Sequence, residues 1–152
     1  MAMKPGERRL QILQTLAAML ENPRSEKVTT AALAAKLGVS EAALYRHFAS
    51  KAQMFEGLIE FIETTLFSFI NKITAEATDG VAQAEQTVVM LLSFAEKNPG
   101  MTRVLIGEAL VNEDERLQAR INQLTDKLEA ALRQSLRIAQ AANGWHGDAQ
   151  AD

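Results

Sequence analysis

The chain has 152 residues, of which 47% are hydrophobic and 23% charged, a balance that suits one or two small soluble domains around a sizeable core. It has no Cys, which excludes disulfides, thiolate metal sites and cysteine nucleophiles, and no apolar run approaches the roughly 20 residues of a membrane-spanning helix. The net charge of −3 divides into +4 on residues 1–51 and −7 on residues 52–152, as in a protein that presents only its head to a polyanion.

The opening stretch MAMKPGERRL lacks the apolar core of a secretion signal, so a cytoplasmic location is expected. Scarce Gly and Pro (8 and 3) favour helix throughout. Leu10, Leu13, Leu16 or Ala17, and Leu20 predict an amphipathic helix over 7–21, broken by Asn22-Pro23-Arg24-Ser25. Thr29 or Thr30 caps a short helix to Leu37, which Gly38 ends. Ser40 caps a third helix, 41–48, and Ser50 a fourth.

That fourth helix runs over about 51–76, with a stripe of Phe55, Ile59, Ile62, Leu66, Phe69 and Ile73 in coiled-coil-like spacing. Leu58 and Phe61 form a second apolar line beside it. The next helix, about 81–97, is apolar nearly all round and predicts a central, buried position. Asn98-Pro99-Gly100 reads as a hard stop, followed by a short helix near 102–110. A last helix over 113–142 carries Leu117, Ile121, Leu124, Leu128, Ala131 and Ser135 on its stripe, with Glu113-Asp114-Glu115 as an acidic cap. Residues 143–152 read as a loop tail. The fold expected is all-α: a three-helix helix-turn-helix domain over 1–51 and a helical body over 52–142.

The stretch TTAALAAKLGVSEAALYRHF has the mechanics of a helix-turn-helix. Leu33 and Leu37 face inward, Ala34 is small where the helices cross, Gly38 supplies the turn, and Leu44 and Phe48 pin the second helix. That helix is then free to enter a major groove. Thr29, Thr30, Ser40, Tyr45, Arg46, His47 and Lys51 offer hydroxyls, a phenol and cations suited to phosphates. Glu41 could accept from cytosine N4, and Ala42 or Ala43 could touch a thymine methyl. A plain helical hairpin with a solvated polar face is the competing reading of the same residues.

Thr29, Thr30, Gly38, Val39, Ser40, Leu44, Tyr45, His47, Phe48 and Lys51 resemble the DNA-binding pattern of the TetR family. Three longer phrases between residues 39 and 124 resemble the nucleoid occlusion factors within it: VSEAALYRHFASKAQMFEGLIEFIE, AEKNPGMTRVL and DERLQARINQL. The resemblance implies a nucleoid-associated protein that binds specific double-stranded chromosomal sites and restrains the division protein FtsZ there. It implies a homodimer in a full-length form, and a C-terminally truncated sequence here, since family members continue with two more helices. It further implies an FtsZ-tail groove beside the fourth and fifth helices, where Phe61, Met90, Lys97 and Asn98 fall. Apart from the resemblance, Phe61 and Met90 also read as core, and Asn98 as a helix-end residue before Pro99.

A ligand-responsive TetR-type repressor is the alternative, and it would need an apolar pocket with a few polar groups in the body. No HExxH, Gly-rich phosphate loop or paired carboxylates stand in the chain, and its two His are His47 and His146. No enzyme activity, metal or cofactor is therefore expected.

Overall fold

The computed structural model describes residues 3–22 and 27–143. These form seven α-helices: α1 (Glu7–Met19), α2 (Thr30–Leu37), α3 (Glu41–Tyr45), α4 (Lys51–Glu76), α5 (Gly80–Lys97), α6 (Pro99–Leu105) and α7 (Glu115–Asn143). A single 3₁₀ turn, Glu108–Leu110, lies between α6 and α7, and there is no strand among the described residues. The all-helical expectation holds. The break at 23–25 and the tail from 144 onward lie outside the described residues.

The helix boundaries follow local chemistry. Thr29, Ser40 and Ser50 each accept a hydrogen bond from the backbone amide three residues ahead, at 3.0–3.2 Å, and so cap α2, α3 and α4. Gly38 ends α2 at φ +69, and the Val39 amide returns to the Ala34 carbonyl at 3.0 Å, which closes the helix end while the half-buried Val39 packs on the core. Asp79 caps α5 through the Val81 amide. Asp114 accepts from the Arg116 amide at the start of α7, and the Arg116 guanidinium and amide together hold its carboxyl below the usual range.

One core runs through the molecule. Ile12, Leu16, Leu33, Leu44, Phe55, Leu58, Ile59, Ile62, Leu66, Leu117, Ile121 and Leu124 are all essentially inaccessible. Four features of the sequence reading change. On α1 the buried face is Ile12, Leu13, Leu16 and Ala17, continued by Leu20 at its C-cap, and Leu10 is 39% exposed. On α4 the stripe passes from Leu66 to Ile70 and leaves Phe69 half-exposed. A straight helix drifts about 20° per heptad away from a 3.5-residue stripe, so a further step of four keeps the core face in register. Leu58 belongs to the core itself, so the second apolar line on α4 reduces to the half-buried Phe61.

The third change concerns α5, which is not a central helix. Val81, Val88, Val89 and Leu92 are all exposed by 45% or more. Its buried face carries Gly80, Gln83, Thr87 and Phe94. The Gln83 side chain donates to the Ala77 carbonyl at 2.6 Å and accepts from Ser135 Oγ at 3.1 Å, so the polar groups at this seam with α7 are satisfied. A Cβ on Gly80 would stand 2.1 Å from the Ser135 carbonyl oxygen, so the two helices meet backbone to backbone there.

Fourth, Asn98-Pro99-Gly100 starts a helix as well as ending one. Pro99 occupies the first turn of α6, where its missing N–H costs nothing, and α6 therefore begins three residues earlier than expected and stops at Leu105. Similarly α3 ends at Tyr45, three residues short of Phe48, which stays buried just after the turn at Arg46 and His47. Glu113 is no part of an α7 cap; α7 begins at Glu115.

Between α4 and α7, Glu63 accepts from Lys127 at 2.6 Å and from Arg120 at 2.5 Å. The Lys127 hydrogen bond, aided by Arg120 and opposed by burial, holds the Glu63 carboxyl below its ordinary value of 4.5. A depressed carboxylate stabilises the fold above its unfolded pKa, and that stability is lost as pH falls through the folded value. Glu63→Gln is expected to cost about 1 kcal/mol at pH 7 and almost nothing near pH 2. Thermal unfolding of both proteins at the two pH values measures this, and an equal cost at both would refute it.

Candidate nucleic-acid interface

The helix-turn-helix presents one polar face. Thr29, Glu41, Ala42, Tyr45, Arg46 and His47 are exposed, Thr30, Ala43 and Lys51 are half-buried, and Ser40 is exposed at its cap. A hydrogen-bond chain ties the two helices across this face. Tyr45 OH donates to Thr30 Oγ1 at 3.3 Å, and Thr30 Oγ1 donates to Glu41 Oε2 at 3.1 Å. Glu41 is therefore engaged within the unit, and the same bonds fix where the Tyr45 phenol stands. Arg46 and His47 follow α3 in a turn, with both side chains on the surface.

Beneath the face, Phe48 anchors the unit. The Arg9 guanidinium of α1 lies 4.2 Å above its ring and donates to the His47 carbonyl at 3.4 Å, a cation–π contact that sequence spacing could not reveal. Lys51 behaves unlike the other candidates. Its ammonium lies 2.7 Å from Glu113 Oε1 and 5.9 Å from the Phe55 ring centre, so it is turned toward the body.

The second set of candidates is partly brought together. Phe61 and Asn98 line one open groove of about 270 Å³ with Gln14, Ala17, Ala18, Glu21, Gly100 and Met101. Its far wall is α1, which the sequence reading did not anticipate. Phe61 also lines a neighbouring groove of about 260 Å³ with Arg9, Leu10, Leu13, Gly57, Glu60 and Thr64. Met90 is half-buried against the core and lines neither groove, and Lys97 is exposed at the end of α5. The Asn98 side chain is spent on the Phe94 carbonyl at 3.0 Å, as a helix-end residue.

No helix among the described residues is long and apolar enough to cross a membrane. Residues 25–58 match the model of bacterial regulatory proteins of the tetR family, and residues 78–148 match the SlmA-like C-terminal domain, described as tetracyclin repressor-like. Among solved structures, a TetR-family transcriptional regulator from Bordetella parapertussis superposes with a TM-score of 0.74 at 19% identity, over 91% of this chain and 73% of that one. This likeness establishes the fold alone. The nucleoid occlusion factor SlmA of Alteromonas mediterranea is 56% identical over 143 residues, which is 94% of this chain and 73% of that protein. The SlmA of Vibrio cholerae is 56% identical over 93% of this chain and 72% of its own length. With a TetR-type fold and that identity running from the helix-turn-helix into α7, the chain belongs to the SlmA family of nucleoid occlusion factors.

Proposed function

We propose that this protein is a nucleoid occlusion factor of the cytoplasm and nucleoid: it binds specific double-stranded chromosomal sites and restrains FtsZ-dependent septum assembly there. The observation that carries the reading is the 56% identity to SlmA proteins across both the helix-turn-helix and the body. Residues 1–51 form the DNA-binding unit and 52–142 the partner-binding body. Thr29, Thr30, Ser40, Tyr45, Arg46, His47 and Lys51 serve phosphates, and Glu41, Ala42 and Ala43 stand nearest the bases. Two copies acting on paired half-sites would raise avidity without a new contact. Phe61, Met90, Lys97 and Asn98 mark the FtsZ-tail side. The two grooves beside Phe61 are open, which suits an extended peptide better than an enclosed small effector.

The test is sedimentation of FtsZ polymers with the protein and a duplex selected by it from random sequences. Loss of polymer only when protein and selected duplex are both present supports the reading. Undiminished polymer, with full duplex binding, leaves a DNA-binding regulator without a division role. For the interface, Arg46→Ala is expected to weaken duplex binding uniformly across sequences and to lower the slope of log affinity against log salt by about one. Gel shifts over a salt series read this, and an unchanged slope removes Arg46 from the phosphate set.

A further inference from the structure

The turn leading into α7 touches both ends of the helix-turn-helix. Lys27 stands three residues before α2, and Lys51 opens α4 just after the recognition segment. Lys51 Nζ lies 2.7 Å from Glu113 Oε1, and Lys27 Nζ lies 4.0 Å from the same oxygen. Lys27 also donates to the Asn112 carbonyl at 3.1 Å. The Glu113 side chain keeps 11% of its exposure, against 24% for Lys51 and 57% for Lys27. Asn112 adopts φ +66, alone in positive φ among the described non-glycine residues, a left-handed turn conformation that Asn tolerates better than most side chains. Lys27, Asn112 and Glu113 themselves line a partly open pocket of about 150 Å³ with Val28, Phe55 and Val111, which gives the turn room to shift.

A carboxylate this covered needs a cation, and both of its cations belong to the unit that faces DNA. Lys51 follows the recognition segment, where a duplex backbone would pass. A phosphate that draws the Lys51 ammonium outward lengthens its 2.7 Å contact with Glu113. Resting on the reading that the α3 face meets duplex DNA, we propose that Glu113 is a latch whose place DNA phosphate takes. In the free protein Glu113 holds Lys51. On DNA, Lys51 passes to a phosphate, Glu113 is left to Lys27, and the turn before α7 is released. Coupling is reciprocal, so whatever steadies residues 111–114 weakens DNA binding, and DNA loosens those residues in turn.

The experiment uses the full chain and a duplex enriched by the wild-type protein from random sequences. Glu113→Gln is expected to bind that duplex about fivefold more tightly, and the gain should vanish in a Lys51→Met background. Glu113→Asp keeps the charge but shortens the reach, so it gives a smaller gain that general electrostatics does not predict. Hydrogen exchange at 111–117 should rise when duplex is added to the wild type, opposite to the protection expected of a contact surface. The latch is refuted if Glu113→Gln binds no more tightly, if the gain persists without Lys51, if Glu108→Gln gives the same gain, or if exchange at 111–117 does not rise. Should the wild type enrich no duplex at all, the DNA-binding reading falls and the latch falls with it; enrichment with a failed cycle removes the latch alone.

Discussion

Gly100→Ala is expected to destabilise the fold by about 3 kcal/mol and lower the melting temperature by about 10 °C. A Cβ at residue 100 would stand 1.9 Å from the Ala17 carbonyl oxygen and 2.9 Å from its carbon. Both neighbours are backbone atoms of α1, so no rotamer change relieves the clash, and α6 must move off α1. That seam also carries the Arg103 guanidinium, which donates to the Leu20 carbonyl at 2.6 Å. The comparison that isolates the cause is Gly38→Ala. Gly38 has open space around its Cβ direction but sits at φ +69, so the cost there is the backbone's alone, about 1 kcal/mol. Equal melting temperatures for the two variants would show that the α1–α6 contact is not rigid. Because α6 packs against α1 as well as against α4 and α5, Gly100→Ala should also broaden the unfolding transition more than Gly38→Ala does.

The helix-turn-helix was readable in the sequence because its signals are local. A hydroxyl cap, a turn glycine and inward leucines at fixed offsets act within a few residues of one another. Helix α4 was equally plain, from the Ser50 cap to Glu76. What the sequence could not show depends on which neighbour lies opposite. Gln83 looks like a solvent-side residue of α5 until the Ala77 carbonyl and, across the seam, Ser135 supply its partners, and Thr87 until its hydroxyl is seen donating back to the Gln83 carbonyl. Val88, Val89 and Leu92 look like core until the helix is seen to pack on its other face. Asn98-Pro99-Gly100 carries both a stop and a start, and only the close approach of α1 to Gly100 explains the glycine. In the candidate sites the same division holds. The polar residues around α3 were found from spacing, whereas the Glu113 partner of Lys51 lies 62 residues away and gave no local signal.

Phe61→Ala is expected to weaken binding of the FtsZ tail, on the function proposed above, by about 2 kcal/mol, or roughly thirtyfold. Phe61 lines two open grooves, one of about 260 Å³ between α1 and α4 and one of about 270 Å³ between α1 and α6. It is half-buried against the core, so its ring is fixed by the protein while one side remains available to a partner. An aromatic held in this way binds at little entropic cost. Truncation also removes packing, so Lys97→Glu serves as the second variant. Lys97 is exposed at the C-terminal end of α5, where reversal of its charge should repel an acidic tail without touching the core. Fluorescence anisotropy of a labelled FtsZ-tail peptide reads both variants, with duplex affinity and melting temperature measured alongside. Weaker peptide binding in each, with duplex affinity retained, places the tail beside Phe61. Unchanged peptide affinity in both would assign the Phe61 ring to packing between α1 and α4.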